Sequence, residues 1–380
     1  MADPTILLSA GEPSGDLHGG ALARALRERW PGARLFGLGG QRMAEAGVEL
    51  LADLEQLAVM GFVEVLRHLP FHIQLFGRLK REFRERRPDL VLPIDYPGFN
   101  LRLAKEATRA GIPVLYYIAP QVWAWHRSRV RLLAEYTDRV AVVLPFEEAI
   151  FREAGARAEF VGHPLLDLPT PAVTLEEFCK GLGLDAARPI LALMPGSRSQ
   201  EVARHLELFV ETAKLVQARR PEVQPVIAAS PAVPAEAYSG VPFPRTTDSR
   251  ALLRHAWAGL VKSGTGTLEA ALAGTPLVIV YRTHPVTYWL ARRLVRVDSI
   301  GLVNLVAGER VAPEFIQGEA KPPVLAEALV PLLTKDSAAR QKALDGLARV
   351  SEALRPAGGE RMGVADRVVA LAAELLERRG

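Results

Sequence analysis

The stretch VKSGTGTLEAALAGTP, residues 261–276, decides the fold because it joins a short apolar run to a helical pattern through a loop of Ser, Gly and Thr. Glycines let the backbone approach a ligand closely, and the N–H groups at the start of a helix attract an anion. The loop lacks the GxxxxGK[ST] spacing of a P-loop, which argues against ATP hydrolysis. The stretch therefore predicts a strand–turn–helix unit of an α/β domain that binds an anion.

Glu269 stands in the first helical turn after this loop, and two interpretations of it are about equally supported. The helix dipole favours a carboxylate near a helix start, without any further role. The same carboxylate could accept two hydroxyl donors from a sugar diol next to a phosphate.

Apolar runs typical of buried strands occur in two series, separated by a proline-rich stretch at 162–171 that reads as a linker. The runs are Thr5–Ala10, Leu35–Leu38, Leu90–Ile94, Val114–Ile118 and Val140–Leu144, then Ile190–Met194, Pro225–Ala229, Ala258–Lys262 and Pro276–Tyr281. Helical patterns lie between them, which is typical of parallel sheets covered on both faces. We therefore expect an α/β fold of two doubly wound, Rossmann-like domains facing a cleft.

The expected domains are residues 1–167, residues 168–345 and a C-terminal helical segment at 346–380. The last helical pattern has one apolar stripe, formed by Val364, Val368, Leu371 and Leu375. Such a helix must dock either on the first domain or on a partner subunit, and the second alternative would make the chain a homodimer.

The net charge of +4 is concentrated in RLKREFRERR, residues 78–87, which hold six basic and two acidic residues. A solvated helix face is the commonest cause of such a run, and anionic lipid is a second one. The run lacks the interleaved aromatic residues expected for single-stranded nucleic acid, so no nucleic-acid partner is expected.

The single cysteine, Cys179, rules out an internal disulfide, and no Cys/His cluster has zinc spacing. The first apolar run is too short for a signal peptide, and no stretch approaches the roughly 20 apolar residues of a spanning helix. We expect a cytoplasmic chain that can still touch a membrane.

A second anion-binding loop is predicted at PGSRSQE, residues 195–201, directly after an apolar run. Ser197 offers a hydroxyl, and the Arg198 guanidinium can grip a phosphate with two parallel hydrogen bonds. A surface salt bridge between Arg198 and Glu201 is the alternative. Because two such loops occur in one domain, we favour a diphosphate held between them.

Polar residues also follow the strands of the first series. The loop after the first strand resembles a dinucleotide loop but fails the GxGxxG pattern at Pro13, so NAD is not expected; it presents Glu12, Ser14, Gly15, Asp16 and His18. Asp95 follows a buried strand and is either a general base or the cap of the next helix. Asn100 could also cap that helix. Gln121 and Trp123 follow the next strand, where Trp123 is either a core residue or a surface for a sugar or an acyl chain.

Ordered motifs along the whole chain resemble the lipid-A-disaccharide synthase family. They are GEPSGDLHG, LAVMGFVEVL, IDYPGFN, APQVWAW, LPFE, GHPLLD, PGSR, SGTGTLEAALAGTP and VNLVAGER. The resemblance implies an inverting glycosyltransferase of the GT-B type in lipid A biosynthesis. It would move 2,3-diacylglucosamine from UDP to the 6-hydroxyl of 2,3-diacylglucosamine 1-phosphate. The UDP-sugar is a substrate, and neither a cofactor nor a metal is expected.

The resemblance also implies residue roles. It assigns UDP binding to Ser197, Arg198, Ser263, Gly264, Thr265, Gly266, Thr267, Glu269 and Asn304. Many members of the family carry a second acid in IDxPDFN, where this chain has Gly98, so the base cannot be placed there. Asp95 is the candidate base, with Asp16 and Glu12 as fallbacks. Ser14, Gly15, Asn100, Gln121 and Trp123 are expected to line the sugar site.

The segment at 62–76 is apolar with scattered cations, and the basic run follows it directly. This arrangement is typical of an interfacial helix on an anionic membrane, here the inner leaflet of the inner membrane, although a buried helix pair remains an alternative. The residues expected to meet acyl chains are Leu66, Leu69, Phe71, Leu75 and Phe76.

Two other functions fit the same loops. One is another UDP-N-acetylglucosamine enzyme of the GT-B type, which would not need the apolar and basic segment. The other is a non-catalytic, membrane-associated UDP-sugar-binding module, which turnover would exclude.

Overall fold

The computed structural model describes residues 3–53, 62–121, 127–284, 288, 299–357 and 362–378. The chain divides into two compact units. The first comprises Met1–Leu168 with Arg355–Gly380, and the second comprises Pro169–Leu354.

The first unit contains a parallel sheet of seven strands in the order β3-β2-β1-β4-β5-β6-β7. Its strands are β1 Thr5–Ala10, β2 Arg34–Gly39, β3 Glu49–Asp53, β4 Leu90–Ile94, β5 Leu115–Tyr117, β6 Arg139–Val142 and β7 Ala158–Phe160. Its helices are α1 Pro13–Arg29, α2 Gln41–Glu45, α3 Phe62–Glu85, α4 Pro97–Arg109, α5 Arg127–Tyr136 and α6 Glu147–Glu153. A 3₁₀ helix at Pro164–Asp167 ends this part of the unit.

The second unit contains a parallel sheet of six strands in the order β10-β9-β8-β11-β12-β13. Its strands are β8 Ile190–Met194, β9 Gln224–Ala228, β10 Arg245–Thr246, β11 Ala258–Lys262, β12 Leu277–Tyr281 and β13 Glu314–Ile316. Its helices are α7 Leu175–Leu182, α8 Ser199–Arg219, α9 Ser249–His255, α10 Gly266–Ala273, α11 Leu302–Ala307, α12 Pro322–Leu332 and α13 Ala338–Ala353. Short 3₁₀ helices lie at Ala235–Tyr238 and Gln317–Glu319. The predicted α/β fold class of two doubly wound sheets is confirmed.

Helix α13 crosses the predicted boundary between residues 345 and 346. It continues to Ala353 because Leu347 and Val350 are fully buried in the second unit. The change of unit falls after Leu354 instead.

The last helix, α14 Val364–Glu377, belongs to the first unit and packs against α1. The predicted apolar stripe is buried there, and both carboxylate oxygens of Asp167 accept N–H groups at the helix start, from Val364 and Ala365, at 2.8 Å each. Because the stripe is covered within the chain, it gives no reason to expect a homodimer.

Helix α3 packs its apolar face into the core of the first unit. Leu75, Leu79 and Phe83 are buried, and the Phe76 ring lies 4.4 Å from the Phe99 ring, centroid to centroid. The prediction that Leu75 meets acyl chains is therefore wrong, since Leu75 is buried in the core, whereas Phe76 is half-buried and packs against that core. The side chains of Leu66, Leu69 and Phe71 lie outside the described residues. No helix among the described residues is long and apolar enough to span a bilayer.

Strand pairing determines which loops meet. In the second sheet β8 lies beside β11, and in the first sheet β1 lies beside β4. Since the carboxyl ends of parallel strands share one edge, the loops at 195–198 and 263–266 are neighbours, as are the loops at 11–12 and 95–96.

Candidate functional site

The loop after β8 is shaped by Gly196 and Glu201. Gly196 has a φ of +137°, and a Cβ there would lie 2.5 Å from the Glu201 Cβ, so only glycine fits. The Ser197 N–H donates to Glu201 Oε2 at 3.0 Å, and the side chains of Ser197 and Arg198 are exposed. The turn therefore presents a hydroxyl and a guanidinium to solvent just before the N-terminus of α8.

The loop after β11 is held by its own hydroxyl groups. Ser263 Oγ donates to the Ile300 carbonyl at 2.9 Å, and Thr267 Oγ1 donates to the Gly264 carbonyl at 2.8 Å. Both side chains are buried, whereas Thr265 is exposed. Ser263 and Thr267 thus fix the loop, and Thr265 and the half-buried glycines 264 and 266 form its accessible surface.

The two loops are joined by an ion pair that the sequence analysis did not predict. Lys262 Nζ lies 2.7 Å from Glu201 Oε1. Burial alone would raise the pKa of Glu201, but the hydrogen bond and charge of Lys262 bring this pKa below its ordinary value. Glu201 is therefore paired with Lys262, and the charge of Arg198 lowers the pKa of this carboxyl group further. Lys262 could have been noticed as a cation at the end of an otherwise apolar strand.

Glu269 is half-buried in the first turn of α10. Burial raises the pKa of its carboxyl group, against the charge of Arg250 and a hydrogen bond with Ser249. Its carboxylate is thus directed toward the start of α9, which follows β10, rather than into open solvent.

Asn304 is buried, and its amide is fully used within the protein. Its Nδ2 donates to the Ala312 carbonyl and to Glu314 Oε1, and its Oδ1 accepts the N–H groups of Val311 and Ala312, all within 2.9 Å. The prediction that its amide faces a nucleotide is therefore wrong, because these bonds fix the chain at 311–314.

A cavity of about 810 Å³ opens at the carboxyl ends of β9 and β10. Its lining includes Ser230, Tyr238, Thr246 and Thr247. The Ser230 hydroxyl donates to the Ser197 carbonyl at 3.0 Å, which joins the cavity wall to the loop after β8. The sequence analysis missed this cavity; the signal was Ser230-Pro231 directly after the predicted strand at 225–229.

In the first unit, the loops after β1 and β4 touch. The Tyr96 ring lies over Gly11, where a Cβ would stand 2.2 Å from Tyr96 Cδ1. Burial raises the pKa of the Tyr96 hydroxyl, and the nearby charge of Glu12 raises it further. Glu12 and the Asp95–Tyr96 loop therefore share one surface, to which Ser14 adds an exposed hydroxyl while Gly15 is buried.

Asp16 has a structural role. It is buried, with Oδ1 accepting the N–H groups of Gly40 and Met43 and Oδ2 accepting that of Arg42, at 2.8–3.1 Å. The carboxylate thus holds the start of α2, and this arrangement contradicts its use as a fallback base.

Asp95 is held in a strained backbone conformation. Asp95 and Tyr96 have φ values of +46° and +50°, in the left-handed region that few residues other than glycine adopt. The Asp95 carbonyl accepts the Tyr116 hydroxyl and Asn100 Nδ2, both at 2.8 Å. The N-cap residue of α4 is Tyr96, so Asp95 does not occupy the cap position that the alternative interpretation gave it.

Asn100 is fully buried and is engaged from both ends of its amide. Its Oδ1 accepts the Ser9 hydroxyl at 2.6 Å, and its Nδ2 also faces the carbonyls of Ser9 and Ile94. The prediction that it contacts a sugar is therefore wrong, because it ties β1 to β4. Gln121 is exposed beyond β5, and Trp123 lies outside the described residues.

Two histidines of the first unit are neutral at pH 7. Burial lowers the pKa of His18 to about 4, and burial together with the charge of His18 lowers the pKa of His163 to about 3. His163 Nδ1 accepts the Leu165 N–H at 3.3 Å, so its proton is on Nε2.

Two units, each with a parallel, doubly wound sheet and polar loops at its strand ends, define a protein of the GT-B class. The calicheamicin glycosyltransferase CalG4 superimposes with a TM-score of 0.65 at 19% identity, covering 100% of this chain and 99% of that chain. Medicago truncatula UGT71G1, solved with UDP-glucose, gives a TM-score of 0.62 at 13% identity, covering 98% of each chain. At these identities the likeness concerns the fold alone.

Sequence comparison identifies the family. Residues 6–368 match the family model described as lipid-A-disaccharide synthetase. A lipid-A-disaccharide synthase from Acidobacterium capsulatum is 42% identical over 99% of this chain and 97% of its own, and one from Trichlorobacter lovleyi is 44% identical over 94% of each. The chain belongs to the lipid-A-disaccharide synthase family and is a glycosyltransferase of lipid A biosynthesis, as the ordered motifs predicted.

Proposed function

We propose that the chain transfers 2,3-diacylglucosamine from UDP to the 6-hydroxyl of 2,3-diacylglucosamine 1-phosphate. The products would be the β-1,6 disaccharide 1-phosphate and UDP. The observation that carries this proposal is the pair of adjacent loops at 195–198 and 263–266, where backbone N–H groups, Arg198 and two helix starts face one edge of the second sheet.

These loops would take the leaving diphosphate. Negative charge grows on the β-phosphate as the glycosidic bond breaks, and fixed donors at that place lower the barrier. Arg198 supplies a positive charge and Thr265 a hydroxyl, so residues of the chain itself would stabilise the negative charge on the leaving diphosphate. We propose that no metal ion is needed.

The nucleoside would lie toward β10. Glu269 points to the start of α9, close to the Thr246–Thr247 wall of the cavity. A carboxylate accepts two ribose hydroxyl groups well, and the cavity has room for a nucleobase. This arrangement favours the ribose role of Glu269 over a purely structural one.

Asp95 would act as the general base in the first unit. It would remove the proton from the acceptor 6-hydroxyl while that oxygen attacks the anomeric carbon from the side opposite UDP, which inverts the centre. Its backbone is fixed by Tyr116 and Asn100, whereas Asp16 is occupied by backbone N–H groups. Glu12 remains the fallback.

Membrane contact would come from the basic end of α3, and the enzyme would then act in the cytoplasm on the anionic inner leaflet. Arg78 and Arg86 both form ion pairs with Glu82, and Lys80 forms one with Glu106. Arg81, Arg84 and Arg87 are exposed and form no ion pair with the described residues. Those three cations are available to lipid phosphates.

The test is a product analysis with UDP-2,3-diacylglucosamine and 2,3-diacylglucosamine 1-phosphate, in the presence and absence of EDTA. We expect the disaccharide 1-phosphate and UDP in equal amounts, at the same rate with the chelator. Turnover of UDP-N-acetylglucosamine without the lipid acceptor would instead indicate a different GT-B enzyme. UDP binding without turnover would indicate a binding module.

A further inference from the structure

The ion pair between Lys262 and Glu201 joins the two loops of the second unit. Its charged atoms are 2.7 Å apart, and each side chain is less than a fifth exposed, at 18% and 17%. Lys262 is the last residue of β11 and precedes Ser263. Glu201 lies in the first turn of α8, three residues after Arg198. The pair is therefore a partly buried bridge between neighbouring strand ends, unlike the solvated ion pairs on the helices.

Glu201 is held by further bonds. Its Oε2 accepts the Ser197 N–H, and its carbonyl lies 2.7 Å from His205 Nδ1. The Arg282 N–H donates to His205 Nε2 at 3.0 Å, so the His205 proton is on Nδ1 and is donated to the Glu201 carbonyl. These bonds connect the carboxyl ends of β8, β11 and β12 through one glutamate.

A carboxylate in this place conflicts with anion binding unless its charge is cancelled. Glu201 accepts a hydrogen bond from the very loop that also carries the Arg198 guanidinium. An uncompensated negative charge there would repel a diphosphate, and partial burial would weaken the screening of that repulsion by solvent. The Lys262 ammonium supplies the larger part of the compensation, to which the charge of Arg198 adds, and its Nζ lies 3.6 Å from the point where a Cβ would stand on Gly264.

We propose that Lys262 is a positioning residue for the donor diphosphate, acting through Glu201. It cancels the charge of Glu201 and keeps the loop at 195–198 at a fixed distance from the loop at 263–266. The inference rests on the proposed binding of UDP at these loops and adds a residue to which no role had been assigned.

The experiment is isothermal titration of UDP and of uridine into wild type and four variants, each with its melting temperature. The variants are Lys262→Met, Lys262→Arg, the double variant Lys262→Met with Glu201→Gln, and the control Lys214→Met. Lys214 pairs with Glu211 at 2.8 Å on the far part of α8, where both side chains are half exposed, so its loss removes an ion pair away from the loops.

We expect Lys262→Met to weaken UDP binding by about tenfold or more, since it removes the hydrogen-bonded cation from a partly buried carboxylate beside the anion. Uridine, which has no phosphate, should bind within about twofold of wild type. Lys262→Arg and the double variant should both recover most of the UDP affinity, the first by restoring the cation and the second by removing the charge it cancels. Lys214→Met should bind like wild type.

Three results would overturn the inference. If Lys262→Met binds UDP like wild type, the pair has no effect on the donor. If the double variant binds as weakly as Lys262→Met, Lys262 does not act through Glu201. If the binding of UDP and the binding of uridine weaken equally, the effect is a general loss of structure.

Failure of wild type to bind UDP would overturn the proposed donor site as well, so failure of the inference and failure of the donor site are distinguishable. If Lys262→Met does not fold, the other two variants test the inference. Both should keep most of the UDP affinity, and weak UDP binding by the double variant would overturn it.

Discussion

At the scale of single residues, the structure separates an acid whose carboxylate holds the fold from an acid that we propose as the general base. Asp16 and Asp95 both follow a strand of the first sheet, and the sequence could not distinguish them. The difference lies in long-range contacts: the carboxylate of Asp16 meets backbone from residues 40–43, whereas Asp95 is anchored through its carbonyl. Such contacts depend on chain segments 21 to 27 residues away, which no local pattern encodes.

The first prediction concerns Asp16→Asn. An amide has one acceptor oxygen, so the N–H of Arg42 would face an NH₂ group, and a partly buried donor would be left without a partner. We expect the free energy of unfolding to fall by about 2 kcal/mol in urea titrations. Remaining folded enzyme should keep its turnover per molecule; a large loss of turnover with unchanged stability would restore Asp16 as a base.

The second prediction concerns His163 and pH. Its folded-state pKa lies far below the ordinary value, so on acidification the unfolded state takes up the proton first. The stability that the folded state gains from a neutral His163 is therefore complete above about pH 6.5, and it is lost as the pH falls below that value.

His163→Asn tests this, because the Asn side-chain oxygen can still accept the Leu165 N–H but cannot titrate. Between pH 7 and pH 5.5, wild type should lose about 1 kcal/mol more unfolding free energy than the variant. His18 contributes in the same direction in both proteins. Parallel pH profiles would contradict the buried, neutral state of His163.

At the scale of secondary structure elements, the central strands were predictable and the edges were not. The runs at Thr5–Ala10, Leu90–Ile94, Ile190–Met194 and Ala258–Lys262 match their strands residue for residue, because strands buried on both faces are continuously apolar. The edge strands β3, β7, β10 and β13 are two to five residues long and partly exposed, so their sequences carry little signal.

Helix α3 shows the same limit for function. Its sequence suggested an interfacial helix, yet Leu75, Leu79 and Phe83 point into the core and Phe76 packs on Phe99. An amphipathic pattern reports that one face is covered without saying whether protein or lipid covers it. Among the described side chains, the exposed Arg81 and Arg84 of this helix and Arg87 just after it are available to a membrane.

The third prediction concerns these arginines. Replacing Arg81, Arg84 and Arg87 by Gln should reduce partition onto vesicles that contain anionic lipid by roughly 100-fold at low salt, since each cation contributes about 1 kcal/mol. The matched control replaces three exposed cations of the second unit, Arg219, Lys335 and Lys342, by Gln. Equal partition of the two triple variants in a sedimentation assay would contradict a role for the basic end of α3.

At the scale of the whole molecule, the ordered motifs were sufficient for the fold class and the family, because they occur at most of the predicted strand ends. They were not sufficient for every residue role. Asn304 and Asn100 lie in family motifs, yet both use their amides to hold neighbouring segments together. Conversely, the sequence alone assigned no role to Lys262 or Ser230. Their contacts with the loop after β8 follow from the neighbouring positions of β9, β8 and β11 in the sheet.

The most direct test of the account is the initial rate of disaccharide formation by Asp95→Asn, compared with wild type, at donor and acceptor concentrations that saturate both. We expect a loss of about 10²–10⁴-fold in kcat, the range for removal of a general base, with UDP affinity unchanged because the base acts on the acceptor hydroxyl and not on UDP. A variant that retains wild-type kcat would contradict the assignment of Asp95 and move the base to Glu12.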